Sequence, residues 1–119
     1  MSSTESEDRA EFIAEIRNAP SFLDAVFQLY HCKMQGYPKF IPDVTPEEVF
    51  GACDADLYAD CLTRSIALRS WSGSIGSAAY NYPGAAPYED VLKNMKEKNP
   101  GFSEQSYGTV CHLGFFAMR

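Results

Sequence analysis

The sequence contains no apolar run that approaches the roughly 20 residues needed to span a bilayer. Its first nine residues, Met1 to Arg9, are polar and acidic, whereas a secretory signal has a basic segment followed by an apolar one. These two absences predict a protein that neither crosses a membrane nor is exported by that route. The cytoplasm is therefore the expected location.

Basic side chains are scarce, with 10 Lys and Arg against 16 Asp and Glu among 119 residues and a net charge of −6. Because nucleic acids and anionic lipids bind cationic surfaces, neither is an expected partner. The shortage is uneven, since residues 1–60 have 12 acidic and 4 basic side chains and residues 61–119 have 4 acidic and 6 basic. A protein partner, preferably a basic one, is therefore expected to approach the N-terminal half.

The chain has no Cys-x-x-Cys pair, and each of its two histidines stands beside one cysteine. Neighbouring residues on a helix point about 100° apart, so neither pair can form a metal site or a catalytic dyad by itself. We predict no metal, no cofactor and no catalytic residue. The cysteines lie in apolar periodic stretches and are expected to be buried thiols, although whether all are reduced stays open. The residues concerned are His31, Cys32, Cys53, Cys61, Cys111 and His112.

Three carboxylates between Asp54 and Asp60 are spaced like those of a calcium loop. The loop needs a glycine where this chain has Ala59, and a bidentate glutamate where it has Ser65. We interpret Asp54, Asp56 and Asp60 instead as a solvated acidic helix face to which a partner binds.

Capping residues and the helical spacing of apolar residues predict three helix starts in the first half of the chain. These starts are Thr4 or Ser6, then Ser21, then Thr45-Pro46, and the first two helices end at residues 18–20 and at Gly36. Residues 1–5 are expected to be flexible, and residues 36–44, with two prolines, to form a loop. Whether residues 46–71 form one helix or two stays open.

Residues 72–87 are rich in Ser, Gly, Ala, Tyr and Pro and predict a long connection with at most one helical turn, at residues 77–80. The sequence Ser72-Gly-Ser-Ile-Gly76 begins with serine where a nucleophile elbow has glycine, so it does not indicate a hydrolase. A further helix is predicted to start at Pro87 and end before Asn99, and Ser103 to cap a final apolar segment that runs to Arg119.

These elements predict an all-α fold, an irregular bundle of five or six helices in a single domain of residues 1–119. The alternative is an α+β fold in which residues 110–118, short and rich in aromatics, form a strand.

Four aromatic residues flank the Ser- and Gly-rich connection: Trp71, Tyr80, Tyr82 and Tyr88. Such side chains are enriched at binding hot spots, but they can equally hold their own loop in place, and both interpretations stay open. Phe116 falls in the polar arc of the last helix. We expect it to contact a second layer of the fold or, by preference, another chain, which would make the C-terminal helix a surface for homo-oligomerisation.

Two functions fit these patterns. The first is a small acidic protein-binding module, such as an inhibitor, immunity or accessory protein, that acts through its acidic N-terminal face and its aromatic loop. The alternative is a small enzyme or ligand-binding protein with a pocket lined by Tyr30, Trp71, Tyr80 and Tyr82, in which His31, His112 or an aspartate is the polar group. A binding module should expose the aromatics, whereas an enzyme should gather them around a cavity beside a titratable group.

Overall fold

The computed structural model describes residues 3–117 and contains helices and connections but no strand in that range. The elements are α1 (Ser3–Arg17), α2 (Phe22–Gln35), a 3-10 turn (Ile41–Asp43), α3 (Pro46–Phe50), α4 (Ala55–Arg69), α5 (Ser72–Ala79), α6 (Tyr88–Lys98) and α7 (Glu104–Ala117). The all-α prediction is confirmed. The alternative of a C-terminal strand is wrong because residues 104–117 form α7, and Met118 lies outside the described residues.

The chain divides into two compact units, residues 1–62 (unit 1) and residues 63–119 (unit 2), and the division falls inside α4. The charge asymmetry of the sequence is counted across a boundary after residue 60, and the two units meet after residue 62. Residues 61 and 62, Cys and Leu, carry no charge, so both boundaries give the same charge for each half. Unit 1 therefore has 12 acidic and 4 basic residues, and unit 2 has 4 acidic and 6 basic. The prediction of a single domain over residues 1–119 stays a prediction.

The start of α1 differs from the sequence prediction. The sequence predicts Thr4 or Ser6 as the N-cap, but both residues lie inside the helix, which begins at Ser3. The flexibility of residues 1–5 stays a prediction. The acidic side chains of Glu5, Glu7 and Asp8 favour this longer helix because they lie near its positive N-terminal end. Residues 1 and 2 lie outside the described residues.

The predicted caps of α2 and α3 are confirmed. The Ser21 hydroxyl accepts a hydrogen bond from the Asp24 backbone N–H at 3.0 Å, and the Thr45 hydroxyl accepts one from the Glu48 N–H at 3.2 Å. Gly36 closes α2 with a left-handed φ of 69°. Its N–H then reaches back to the last carbonyls of the helix, which is the reason glycine is favoured there.

Residues 46–71 form more than one helix, which answers the question that the sequence leaves open. Gly51, with φ of 68°, ends α3, and the Asp54 carboxylate then accepts hydrogen bonds from the backbone N–H groups of Asp56 and Leu57 to begin α4. Cys53 lies between these two signals and is exposed. The prediction of a buried thiol is therefore wrong for Cys53, which lies in a linker rather than on an apolar helix face.

The core of unit 1 is a cluster of buried aliphatic residues from α1, α2, the 3-10 turn and α3. Its members are Ile16, Ala25, Leu29, Ile41, Val44 and Val49, and each is at most 4% exposed. Phe12 and Phe40 cover it from one side and meet edge to face at 5.7 Å. Residues 36–44 are thus held against the core by Ile41 and Phe40.

Residues 72–79 form helix α5, although the sequence predicts a connection with at most one turn. Glycine and serine have low helix propensity, so the helix depends on packing rather than on its own residues. The packing partner is α7, at Gly114. A Cβ added there would clash with the Ser72 carbonyl oxygen and lie 3.0 Å from the Gly76 nitrogen. Small residues on both helices thus permit a close approach of backbones that stabilises α5.

The ends of α6 and α7 match the sequence prediction. Pro87 precedes the first residue of α6, and the Ser103 hydroxyl accepts a hydrogen bond from the Ser106 N–H at 3.3 Å at the start of α7. Between them, buried Asn99 donates its side-chain N–H to the Met95 carbonyl at 2.9 Å. The Tyr107 hydroxyl donates to the Asn99 carbonyl at 2.7 Å, so this polar turn is satisfied inside unit 2.

Candidate functional site

The basic side chains of unit 1 are used for internal contacts. The Arg9 guanidinium donates to both carboxylate oxygens of Glu48, at 2.6 and 2.5 Å, and this bidentate contact lowers the pKa of Glu48. Arg17 donates to the backbone carbonyls of Glu48 and Val49. Two of the four cations of unit 1 thereby tie α1 to α3, and only Glu48 is neutralised by them.

Lys33 is a third cation that binds inward. Its ammonium group donates to the carbonyls of Ile41 and Val44, and so attaches the 3-10 turn to α2. A carbonyl oxygen carries only a partial charge, so this bond neutralises no carboxylate. Three of the four basic residues of unit 1 are committed in this way, and most of its acidic residues are left to face solvent.

The three aspartates of the predicted acidic face are all exposed, but they occupy different structural positions. Asp56 and Asp60 are four residues apart on α4 and lie on the same face of that helix. Asp54 precedes the helix and already accepts two backbone hydrogen bonds as its N-cap. The interpretation as a continuous helix face is therefore wrong for Asp54 and fits Asp56 and Asp60.

The aromatic residues of unit 2 divide into two kinds. Tyr80 and Tyr82 remain 44% and 43% exposed. Trp71 and Tyr88 are half-buried, with the Lys98 ammonium 6.0 Å above the Trp71 ring and the ring of Tyr88 6.2 Å from that of Phe115. Trp71 and Tyr88 thus hold the structure in place, whereas Tyr80 and Tyr82 are presented to solvent.

The backbone around these two tyrosines is fixed by local geometry. Asn81 has a left-handed φ of 53°, and the N–H groups of Asn81 and Tyr82 return to the carbonyls of Ala78 and Ser77, a pattern that closes a helix. A turn follows in which the Ala85 N–H donates to the Tyr82 carbonyl at 3.0 Å across Pro83 and Gly84. Gly84, with φ of 83°, supplies the conformation that a type II turn needs at its third position.

Tyr80 and Tyr88 are also restrained by their hydroxyl groups. The Tyr80 hydroxyl donates to the Phe115 carbonyl at 3.0 Å. Burial raises the pKa of Tyr88, and a hydrogen bond with the Cys111 side chain raises it further. Tyr88 therefore remains neutral at physiological pH.

A cavity of about 570 Å³ lies in unit 2. Its lining is made of small and neutral side chains from α5, α6 and the turns beside them: Ser70, Trp71, Gly73, Ser74, Ser77, Gly84, Ala85, Ala86, Val91 and Asn94. Of the four aromatics predicted to line a pocket, Trp71 is here but Tyr80 and Tyr82 are not, and Tyr30 belongs to unit 1. The lining includes three serine hydroxyls but, among the described residues, no Asp, Glu, His, Lys or Cys side chain beside them that could activate a serine as a nucleophile.

Phe116 is 51% exposed on α7, and the His112 ring meets it edge to face with centroids 4.5 Å apart. His112 is exposed too, and is used as a packing surface for Phe116. His31 stacks on Phe27 with centroids 6.0 Å apart, so each histidine lies against an aromatic ring on its own helix.

Within residues 3–117, no group of three or more His, Cys, Asp or Glu side chains is placed to hold a metal ion. None of the helices in this range is long and apolar enough to cross a membrane. The four cysteines are free thiols, with Cys61 buried and Cys32 and Cys111 partly so. The chain matches no family model, no curated protein and no solved structure.

The structure also brings together three carboxylates that the sequence analysis does not single out, Asp8, Glu11 and Glu15 on α1. These carboxylates are three and four residues apart, and this spacing predicts that they lie on one face of a helix. They line a concavity of unit 1 together with aromatic side chains.

Proposed function

We propose that this protein is a binding module for a basic protein partner, in the manner of an inhibitor, immunity or accessory protein. One observation carries the proposal: three of the four cations of unit 1 are committed to internal bonds. The carboxylates of unit 1 outnumber its cations by 12 to 4 and most of them are exposed, so unit 1 presents a negative field. Such a field accelerates the approach of a basic protein and discriminates against acidic ones.

The aromatic loop of unit 2 is proposed as a second contact surface for the same partner. Tyr80 and Tyr82 offer large contact area on a backbone that is already fixed. Acidic residues should then govern the rate of association and the tyrosines the rate of dissociation, because long-range fields act before contact and packing acts after it.

The test begins with affinity capture from the source organism and identification of the captured protein. Association and dissociation rates are then measured with the purified partner at low and high salt. The triple variant Asp54→Asn, Asp56→Asn and Asp60→Asn removes three charges, and asparagine keeps the helix cap at residue 54. We expect the association rate to fall by about tenfold or more, both in this variant and on raising the salt concentration.

A matched control removes three negative charges from unit 2 with Glu89→Gln, Asp90→Asn and Glu97→Gln, and should change the association rate less than about twofold. Tyr82→Ala should instead raise the dissociation rate by about tenfold with the association rate unchanged. If association is indifferent to salt and to the triple variant, the acidic face is a solubility device and the proposal fails.

Self-association through α7 is a second proposal, favoured by the exposure of Phe116 at 51%. Phe116→Glu should leave the circular dichroism spectrum unchanged and shift any dimer seen by sedimentation toward monomer. Global unfolding of the variant would place Phe116 in the core, and an unchanged sedimentation profile would remove α7 from consideration as an interface.

A further inference from the structure

A concavity of about 470 Å³ lies in unit 1 between α1, α2 and the segment that follows α2. Its lining combines three carboxylates, three aromatic rings, one proline and one thiol: Asp8, Glu11, Phe12, Glu15, Cys32, Tyr37, Pro38 and Phe40. This volume lies within the range of ordinary ligand sites. The concavity lies entirely in unit 1 and shares no residue with the acidic face at residues 54–60 or with the aromatic loop.

The carboxylates form one wall because of helical spacing. At 100° per residue, Asp8, Glu11 and Glu15 fall within an arc of about 60° on α1. In the described part of the chain no Lys, Arg or His pairs with any of the three. The nearest cation in sequence, Arg9, is bonded to Glu48 and to the Asp43 carbonyl instead. The α1 wall is therefore negative, and the Arg9 guanidinium, paired with Glu48, lies 6.0 Å from the centroid of the Phe40 ring rather than against these carboxylates.

Aromatic rings line the rest of the concavity. Phe12 and Phe40 are in edge contact at 5.7 Å, and Tyr37 is 75% exposed beside them. Tyr37 follows Gly36, and its backbone N–H donates to the Cys32 carbonyl at 3.3 Å, which fixes the start of this aromatic lining. Burial raises the pKa of the Cys32 thiol, so that group remains neutral and adds neither charge nor a nucleophile to the concavity.

Carboxylates beside aromatic faces are the surroundings that suit an organic cation. Rings attract a cation over their faces, while the carboxylates accept its hydrogen bonds. A bare metal ion is a poor match, because it needs several converging ligands and gains nothing from rings. Guanidinium fits better than ammonium, since it is planar, more weakly hydrated and able to stack on a ring while donating at its edge.

We infer that this concavity receives an arginine side chain from the partner, held between the α1 carboxylates and the ring of Tyr37. The partner's being a basic protein rests on the proposed function. The concavity gives that partner a specific anchor, distinct from the general attraction exerted by the acidic surface.

The inference is tested with N-acetyl-arginine amide as the probe, titrated into the ¹⁵N-labelled full chain and followed by amide chemical shifts. We expect saturable shifts confined to residues 8–15 and 32–40. The citrulline analogue has nearly the same shape without the charge, and should bind at least about fivefold more weakly.

Two variants with equal charge changes locate the site. Glu11→Gln with Glu15→Gln should weaken binding of the probe by about fivefold or more, whereas Asp56→Asn with Asp60→Asn should change it less than about twofold. Tyr37→Ala tests the aromatic lining at an exposed position where the fold does not depend on the side chain, and it too should weaken binding.

If both double variants weaken probe binding equally, or if the citrulline analogue binds as tightly as the arginine probe, the probe is attracted only by the general negative charge. Either result would overturn the inference. Absence of saturable shifts would overturn it as well. These outcomes are independent of the partner experiment above, because the probe reports on the concavity alone. A second possible result is that a partner binds through residues 54–60 while the probe causes no saturable shifts at the concavity. That result would leave the proposed function intact and would overturn only the inference that the concavity binds an arginine side chain.

Discussion

In unit 1 the buried residues form a cluster of aliphatic side chains, and three cations reach from the helices to backbone carbonyls or to Glu48. In unit 2 two helices approach so closely at Gly114 that a methyl group has no room. Two of its lysines pair with its own carboxylates, Lys96 with Glu104 at 3.0 Å and Lys93 with Glu97 at 3.8 Å. Ion pairs thus use part of the charge of unit 2, whereas unit 1 has an excess of carboxylates, 12 acidic residues against 4 basic ones.

The net charge is −8 in unit 1 and +2 in unit 2, and this difference underlies the proposed function. In that proposal unit 1 acts through charge, and unit 2 acts through contact by its exposed aromatics. Substitutions in each unit test this comparison.

Leu29→Ala should have the largest effect, because Leu29 is 1% exposed within the aliphatic cluster of unit 1. Removing a buried leucine side chain typically lowers the free energy of unfolding by about 2–5 kcal/mol. Urea denaturation followed by circular dichroism measures the loss. The control, Leu57→Ala, alters a leucine that is 51% exposed and should cost about 0.5 kcal/mol or less. If Leu29→Ala and Leu57→Ala lowered the free energy of unfolding equally, the assignment of Leu29 to the core would be wrong.

Gly114→Ala should cost about 1–3 kcal/mol, because the atoms that the new methyl group meets belong to the backbone of α5 and cannot rotate away. Gly108→Ala, on the same helix with open space around it, should be neutral or stabilise by up to about 1 kcal/mol. Hydrogen exchange should show the loss of protection first in α5 and α7. A destabilised Gly108→Ala, or a neutral Gly114→Ala, would mean that close approach does not hold α5 in place.

Glu48→Gln should have the smallest effect and a characteristic pH dependence. The hydrogen bonds from Arg9 lower the pKa of Glu48 below its ordinary value of 4.5, so the folded state favours the ionised form. The stabilisation is therefore present above about pH 4.5 and is lost as the pH falls through the folded-state pKa. The melting temperature of the variant should lie slightly below that of the wild type at pH 7 and approach it in acid.

Glu47→Gln is the control for this pH series, since it removes a neighbouring carboxylate that makes no contact with Arg9. The difference in melting temperature between Glu47→Gln and the wild type should not show the pH dependence expected for Glu48→Gln. A constant gap between wild type and Glu48→Gln at every pH would show that the contact with Arg9 does not depend on the charge of Glu48.

The sequence predicts the parts of this fold that depend on local chemistry. Ser21, Thr45 and Ser103 are recognisable caps because a short polar side chain satisfies free N–H groups at a helix start. Gly36 is recognisable as a helix end because only a residue tolerant of positive φ fits there. Asp54 was read as part of an acidic face, although the same capping chemistry applies to it.

The sequence does not predict the features that depend on distant partners. Helix α5 forms from residues with poor helix propensity because α7 has Gly114 at the point of contact, and no window around Ser72 contains that information. The concavity of unit 1 likewise requires α1 and residues 37–40 to be adjacent. The internal hydrogen bonds of Arg9 and Lys33 also depend on tertiary structure. The sequence gives the charges of these residues but does not identify the groups to which they donate.

Tyr37 and Tyr82 occupy equivalent positions in the two units. Each follows a residue with left-handed φ, Gly36 or Asn81, and each donates its backbone N–H to a carbonyl five residues earlier. The main chain beneath both rings is thus immobilised before any partner arrives. Ordering a side chain on binding costs about 0.5–1.5 kcal/mol, and ordering a loop costs more. A partner that contacts either ring therefore loses only rotamer freedom, so even a small contact area can give measurable affinity.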